Sequence, residues 1–229
     1  MKKIVGTLLF TWILFSGIEA QSDLRFGFQA SPSFQWMSSS TPKKIKGNGT
    51  NTAFKLGATL EKYFRPNYAY TSGIGFAFNS GGTLRYEDSG AWLKGSYDSV
   101  LVQGANVHYR LNYVEIPFGL KMRGGSGEDS YLNFFAELPM LTLGFRTKAL
   151  ADIRKTNTQN QEDIDIKDSS KLFNFSWGLG GGVEYNISSS TALVGGLYYQ
   201  QGFLDVTKDR GDGSKSIIHG LTLRIGVLF

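Results

Sequence analysis

The C-terminal stretch HGLTLRIGVLF alternates strictly between apolar side chains and small or polar ones. The apolar parity consists of Leu221, Leu223, Ile225, Val227 and Phe229, and the other parity consists of Gly220, Thr222, Arg224 and Gly226. Successive side chains of a β-strand point to opposite faces. The stretch therefore predicts a strand with one apolar face and one polar face, and it places the charge of Arg224 on the polar face.

The same alternation recurs upstream in seven further segments. They span residues 24–36, 53–64, 68–79, 111–122, 131–145, 172–187 and 191–204. A soluble β-sandwich also alternates, so the pattern of connections is needed to decide between the two folds. Long connections near 37–52, 80–107, 146–171 and 205–216 alternate with short ones at 65–67, 124–129 and 187–190. This succession is typical of outer-membrane barrels and predicts an all-β fold, an eight-stranded antiparallel transmembrane β-barrel.

The first residues differ from the rest of the chain. MKKIVGTLLFTWILFSGIEA carries two lysines followed by an apolar stretch, as in a secretory signal peptide cleaved after Ala20. We therefore expect residues 1–20 to be a signal peptide and residues 21–229 to form one barrel domain. Beyond the signal no apolar segment of helix length occurs, so a membrane-spanning chain must close into a barrel.

Composition excludes several classes of function. The chain has no cysteine, which excludes disulfides and thiolate chemistry. Its net charge of +5 is small and scattered, so nucleic acid is not an expected partner.

The polar parity predicts the content of the barrel lumen. Its charged members are Arg25, Lys55, Glu61, Glu115, Lys121, Glu137, Glu184 and Arg224. An eight-stranded barrel has room for side chains and little else, and an unpaired buried charge is costly. The balance of four basic and four acidic residues predicts a filled lumen braced by ion pairs. The alternative is that some of these groups lie near strand ends and are solvated.

No catalytic, cofactor-binding or metal-binding residue is predicted. His108 and His219 fall on the outward parity, and no serine or carboxylate can be assembled with them into a catalytic set. Asp205, Asp209 and Asp212 lack the distal glutamate of a calcium loop. The RGD tripeptide at 210–212 matches an adhesion motif, but Asp and Gly are ordinary turn residues. We expect a protein that is not an enzyme.

Two segments carry a family resemblance. NYVEIPFGLKM at 112–122 and YLNFFAELPMLTLGF at 131–145 make the chain similar to the PorT-like outer-membrane barrels of Bacteroidetes, over essentially its whole length after residue 20. The resemblance implies an integral outer-membrane protein, and the namesake of the family is required for type IX secretion. The last strand, with Leu223, Ile225, Val227 and a terminal Phe229, also resembles the signal by which the outer-membrane assembly machinery recognises barrels.

These observations lead to one expectation and two alternatives. We expect an outer-membrane barrel with both termini in the periplasm that serves as an accessory or assembly component of a protein secretion system. Its partners would be outer-membrane lipid, the assembly machinery and secretion components. The first alternative is a surface receptor or adhesin that binds through the long connections, and the second, disfavoured by the filled lumen, is a solute pore. Lys43, Lys44 and Lys46 in the first long connection suggest contact with lipopolysaccharide phosphates.

Overall fold

The structure, a computed structural model, describes residues 24–93, 100–124, 131–154, 160–208 and 213–229. The expected signal peptide, the RGD tripeptide and nearly all of the turn at 124–129 lie outside these ranges. Ten strands are present in the described residues: β1 Leu24–Ser39, β2 Ile45–Gly47, β3 Thr50–Arg65, β4 Tyr68–Tyr86, β5 Ala105–Gly124, β6 Leu132–Arg154, β7 Gln161–Asp165, β8 Phe173–Asn186, β9 Ala192–Gly202 and β10 Ser216–Leu228. One 3-10 turn follows β7 at Lys167–Ser169.

The eight long strands close on themselves. Their order is β1-β3-β4-β5-β6-β8-β9-β10, every neighbouring pair is antiparallel, and β10 returns to pair with β1 from Gly27↔Leu228 to Ser39↔Ser216. The predicted eight-stranded antiparallel barrel is therefore confirmed. The short strands β2 and β7 pair with β4 and β6 outside the closed cylinder. No helix among the described residues is long and apolar enough to cross a membrane.

Apolar side chains form a continuous ring around the outside of the barrel, which we call the apolar belt. Every long strand contributes to it, through residues such as Phe28, Phe34, Phe54, Phe76, Phe118, Phe134, Leu179, Leu197 and Ile225, all exposed on the outer surface. The barrel end that carries Leu24, Phe229 and the tight turn at 66–67 is called the turn end. The opposite end, which carries the long connections, is called the loop end.

Three strands continue far beyond the belt at the loop end, and here the predicted connections were wrong. β4, β5 and β6 have 19, 20 and 23 residues, about twice what a tilted strand needs to cross a bilayer. Residues 80–86, 105–107 and 146–154, expected to be loops, are strands. We call this part, with β2 and β7 at its edges, the β-extension.

The β-extension is polar outside and apolar inside, the reverse of the belt. Two bulges produce the reversal: the β4 register shifts between Ala77 and Ser80, and the β5–β6 register shifts beside Asn112. A bulge inserts one residue, so the apolar parity of β4 and β6 moves from the outer face to the inner face. Asn112 ties the two bulges together, because its Oδ1 accepts from the Asn79 backbone N–H at 3.0 Å and its carbonyl accepts from Thr147 Oγ1 at 3.2 Å. We call the height of the barrel wall at which Asn79, Asn112 and Thr147 lie the transition level.

Candidate functional site

A buried charge cluster fills the lumen near the turn end. The ammonium of Lys121 is almost fully buried and lies between the carboxylates of Glu61 and Glu184. Arg25 Nη1 lies 2.9 Å from Glu184 Oε2, and Arg123 Nε lies 3.1 Å from the same oxygen. Glu184 therefore faces three cations from β1 and β5. Arg123 is not among the eight predicted lumen charges, although it follows Lys121 on the same inward parity and the alternation could have identified it.

Two further ion pairs occupy the middle of the lumen. Arg224 Nη1 lies 3.0 Å from Glu137 Oε2, and the Tyr198 ring covers the guanidinium at 3.7 Å from its centroid. Lys55 Nζ lies 2.9 Å from Glu115 Oε2. All eight charges that the sequence placed in the lumen thus lie on the inner face, and the structure brings each of them into an ion pair. Each pair joins two different strands, so the pairs link strands that are distant in the sequence.

Little open space remains inside the barrel. The cavities between these pairs have volumes of about 30, 50 and 20 Å³, which is room for one or a few water molecules. Above them the loop end is filled by apolar side chains. The described part of the lumen is therefore packed along its length and contains no channel.

The apolar filling at the loop end is the core of the β-extension. It is built from inward side chains of the extended strands and from the connections that cover them: Ile45, Leu84, Tyr86, Leu93, Leu101, Val107, Tyr109, Leu111, Ala149, Ala151, Ile153, Ile166 and Val206. Within it the hydroxyls of Tyr86 and Tyr109 share a hydrogen bond of 2.6 Å. Residues 146–171 were predicted to be a long connection, but their first part is strand, and its side chains Ala149, Ala151 and Ile153 are all fully buried in this core.

The outer face of the β-extension is polar and charged. Arg110 Nη2 bonds Asp152 Oδ1 at 2.6 Å and Asp163 Oδ1 at 2.7 Å. The imidazole of His108 bonds Thr83 Oγ1 at 2.9 Å on the same face. This surface lies beyond the belt, and the opposite face of the same paired strands packs on the apolar core.

The two histidines lie apart. His108 is on β5, whereas His219 is on β10, half of the barrel circumference away. The His219 ring stacks on Trp36 with centroids 5.5 Å apart and bonds Ser38 Oγ at 2.7 Å. Both rings face outward, as the parity predicted, and they share no cleft.

Metal-binding geometry is not present among the described residues, where no group of three or more His, Cys, Asp or Glu could hold an ion. Asp205 has a structural environment instead: its carboxylate accepts from the backbone N–H groups of Thr207 and Ser216 at 3.1 and 2.8 Å and pairs with Lys171 at 2.7 Å. Asp209 and Asp212 lie outside the described residues.

The family model for the outer membrane protein beta-barrel domain matches residues 19–208. Neisserial surface protein A is similar at 13% identity and a TM-score of 0.44, covering 89% of this chain and 95% of that one. The attachment invasion locus protein Ail of Yersinia pestis is similar at 12% identity and a TM-score of 0.41, covering 90% and 99%. No curated protein matches the chain.

Proposed function

Because this chain belongs to the outer membrane protein beta-barrel domain family, we propose that it is an outer-membrane scaffold that binds a protein partner through the outer face of the β-extension and catalyses no reaction. The loop end lies outside the cell in this proposal, and both termini lie in the periplasm. The family match itself places the protein in the outer membrane.

The observation that carries the proposal is the contrast between the lumen and the β-extension. A packed lumen offers no path for solutes. The strands of the β-extension, in contrast, run about twice as far as a bilayer requires, and their own apolar core keeps them rigid. A rigid polar sheet beyond the belt favours a role in binding, since pre-ordered surfaces lose less entropy when they bind.

The resemblance to PorT-like barrels suggests the class of partner. It favours a component of a protein secretion apparatus, which the barrel would help to assemble or hold in place. This step rests on analogy between families. The second candidate is a surface receptor or adhesin, and the outward charges of Arg110, Asp152 and Asp163 favour it.

Photo-crosslinking in outer membranes tests the proposal. A crosslinking residue at Arg154, exposed on the β-extension, is compared with one at Ser189 in a turn-end connection. We expect a secretion component to be captured from position 154 and lost when the same crosslinker is combined with the charge-reversal variant Lys148→Glu/Glu162→Lys, which changes two exposed residues of the β-extension and keeps the net charge. Capture from position 189 alone would move the binding surface to the turn end. An external ligand at 154 would favour the receptor, and no capture at either position would refute the scaffold.

Orientation is tested separately with single cysteines, since the chain has none of its own. Lys208→Cys at the loop end and Ser189→Cys at the turn end are treated on intact cells with a membrane-impermeant maleimide. We expect labelling of position 208 only. Labelling of position 189 only would reverse the proposed orientation.

A further inference from the structure

The ladder between β1 and β3 stops at the rim of the apolar belt. Its last pair is Trp36↔Thr50, whereas β1 continues along β10 as far as Ser39. Beyond that pair, the strand that faces β1 across the gap is β2, and β2 is paired with β4. The barrel wall therefore has a seam at this position, between the end of β1 and the β2–β4 edge.

The seam is closed by close packing. Gln35 Oε1 accepts a hydrogen bond from the backbone N–H of Gly81 at 3.0 Å. A Cβ on Gly47 would lie 2.3 Å from the Met37 carbonyl oxygen, and a Cβ on Gly82 would lie 2.8 Å from the Met37 nitrogen. Glycine at both positions thus allows the backbones to touch. The wall stays sealed on its inner side but is indented on its outer side.

This indentation, the seam groove, has a volume of about 440 Å³ and is lined by Trp36, Ser38, Pro42, Lys46 and Thr50 among others. Its size falls in the range of small-molecule sites. It is also far larger than the lumen cavities.

The groove opens at the belt. Phe34, 58% exposed on the outer surface, is the next outward residue below Trp36 on β1. Phe54, 43% exposed, lies two outward residues below Thr50 on β3. An aromatic residue such as Trp36 at the rim of the belt is typical of the membrane–water interface. A molecule in the groove would therefore have one end among lipid chains and the other in the headgroup layer.

Cations gather at the headgroup side of the groove. Lys46 belongs to its lining, Lys43 and Lys44 precede it in the exposed connection, and Arg85 is the cross-strand partner of Lys46. Glu87 offsets part of this charge, because its Oε1 lies 3.0 Å from Lys46 Nζ and 3.2 Å from Arg85 Nε. Asp88 follows it in the chain. Among the residues that the structure describes here, four cations stand against two carboxylates, and this positive balance favours an anionic headgroup.

We propose that the seam groove binds a phosphorylated lipid of the outer leaflet, lipid A, with an acyl chain against Trp36 and Pro42 and a phosphate at Lys46 and Lys43. An apolar groove open to the belt selects an acyl chain. A lysine cluster at its upper edge selects a phosphate, since such charges hold anionic headgroups near a membrane surface. The assignment to the outer leaflet rests on the orientation given under Proposed function.

Binding of purified lipid A to the detergent-solubilised full barrel, measured by native mass spectrometry, tests the site. The variant Lys43→Gln/Lys44→Gln/Lys46→Gln removes the phosphate contacts, and Thr50→Trp fills the groove without changing charge. The matched control Lys148→Gln/Lys167→Gln/Lys208→Gln removes three exposed lysines elsewhere at the loop end. We expect each groove variant to weaken lipid A binding by at least about tenfold and the control to change it by less than about twofold. Heat-modifiable gel migration verifies that every variant forms the barrel.

Four results would overturn the proposal. Equal loss in the control would mean that general surface charge holds the lipid. Unchanged binding in Thr50→Trp would exclude an acyl chain from the groove, and unchanged binding in the lysine variant would exclude the phosphate site. Equal binding of phosphatidylglycerol or of dephosphorylated lipid A would remove the assignment to lipid A. The cysteine labelling would detect a reversed orientation, and the crosslinking would detect the absence of a partner at the β-extension. Failure of the proposed function is therefore distinguished from failure of the groove.

Discussion

Replacing Lys121 by Met is the most direct test of the lumen charges. The Lys121 side chain is 1% exposed, and its partners Glu61 and Glu184 are 5% and 0% exposed. The substitution keeps the length of the side chain but removes its charge. Two buried carboxylates then face each other without the ammonium between them.

The expected cost follows from this burial. Removing one partner of a buried ion pair destabilises a protein by about 3–5 kcal/mol, because an uncompensated charge remains. Arg25 and Arg123 still contact Glu184, so we place Lys121→Met near the lower end, at about 3 kcal/mol. The double variant Glu61→Gln/Lys121→Met removes both charges of one pair and leaves Glu184 with Arg25 and Arg123 as partners. It should therefore recover more than half of the loss.

Reversible unfolding in urea, with the folded fraction read from heat-modifiable migration, gives the free energies. Lys62→Met is the control, because Lys62 is next to Glu61 on β3 but is exposed on the outer face. Its effect on the free energy of unfolding should stay below about 0.5 kcal/mol. A loss below about 1 kcal/mol for Lys121→Met would refute the electrostatic coupling of the cluster. A double variant as unstable as Lys121→Met would show that packing, not charge, is lost.

Three further predictions concern packing, the β-extension and assembly. Gly180→Ala would place a Cβ 2.1 Å from the Tyr198 ring, and it should lower the free energy of unfolding in urea by about 1–3 kcal/mol. The control Gly195→Ala, whose added Cβ has no atom within 4 Å, should change that free energy by less than about 0.5 kcal/mol. Equal effects of the two substitutions would contradict the close packing at Gly180. Leu111→Ala removes a fully buried core side chain of the β-extension and should cost about 2–5 kcal/mol, seen as faster proteolysis at the loop end, and unchanged cleavage would argue against a continuous core. Phe229→Ala leaves the backbone bonds to Phe26 in place, so we expect a lower assembled fraction in cells with unchanged stability after refolding; full assembly would remove the recognition role of Phe229.

The sequence was most informative where two faces of a strand meet two different environments. Alternation located all eight barrel strands, because each has lipid on one side and a polar lumen on the other. The same parity was sufficient to place the eight lumen charges on the inner face. Their partners could not be predicted, since pairing of Arg25 with Glu184 or Lys55 with Glu115 depends on the shear of the closed barrel.

The β-extension was missed for a specific physical reason. In β6 the apolar parity runs from Leu141 to Ile153 almost without interruption, but Thr147 is an extra residue in the register. The alternation in the sequence therefore continues unchanged, although the apolar side chains change from the outer face of the barrel to its inner face. Nothing in the local composition marks a bulge, so the strand ends were placed where polar residues such as Arg146 and Lys148 begin.

The transition level has a consequence for how deeply the barrel sits. Phe78, Val114 and Phe145 face outward just below it, while Asn79, Asn112 and Thr147 bond to one another within it. If the barrel moved deeper into the bilayer by one residue step, those polar groups would enter the hydrocarbon layer. If it moved outward by one step, the rings of Phe78 and Phe145 would be exposed to water. Vertical position is thus fixed by the chain's own hydrogen bonds. In a thicker or thinner bilayer the lipid must compress or stretch to match the barrel. The reason is that only one depth keeps the polar groups in water and the apolar side chains in hydrocarbon.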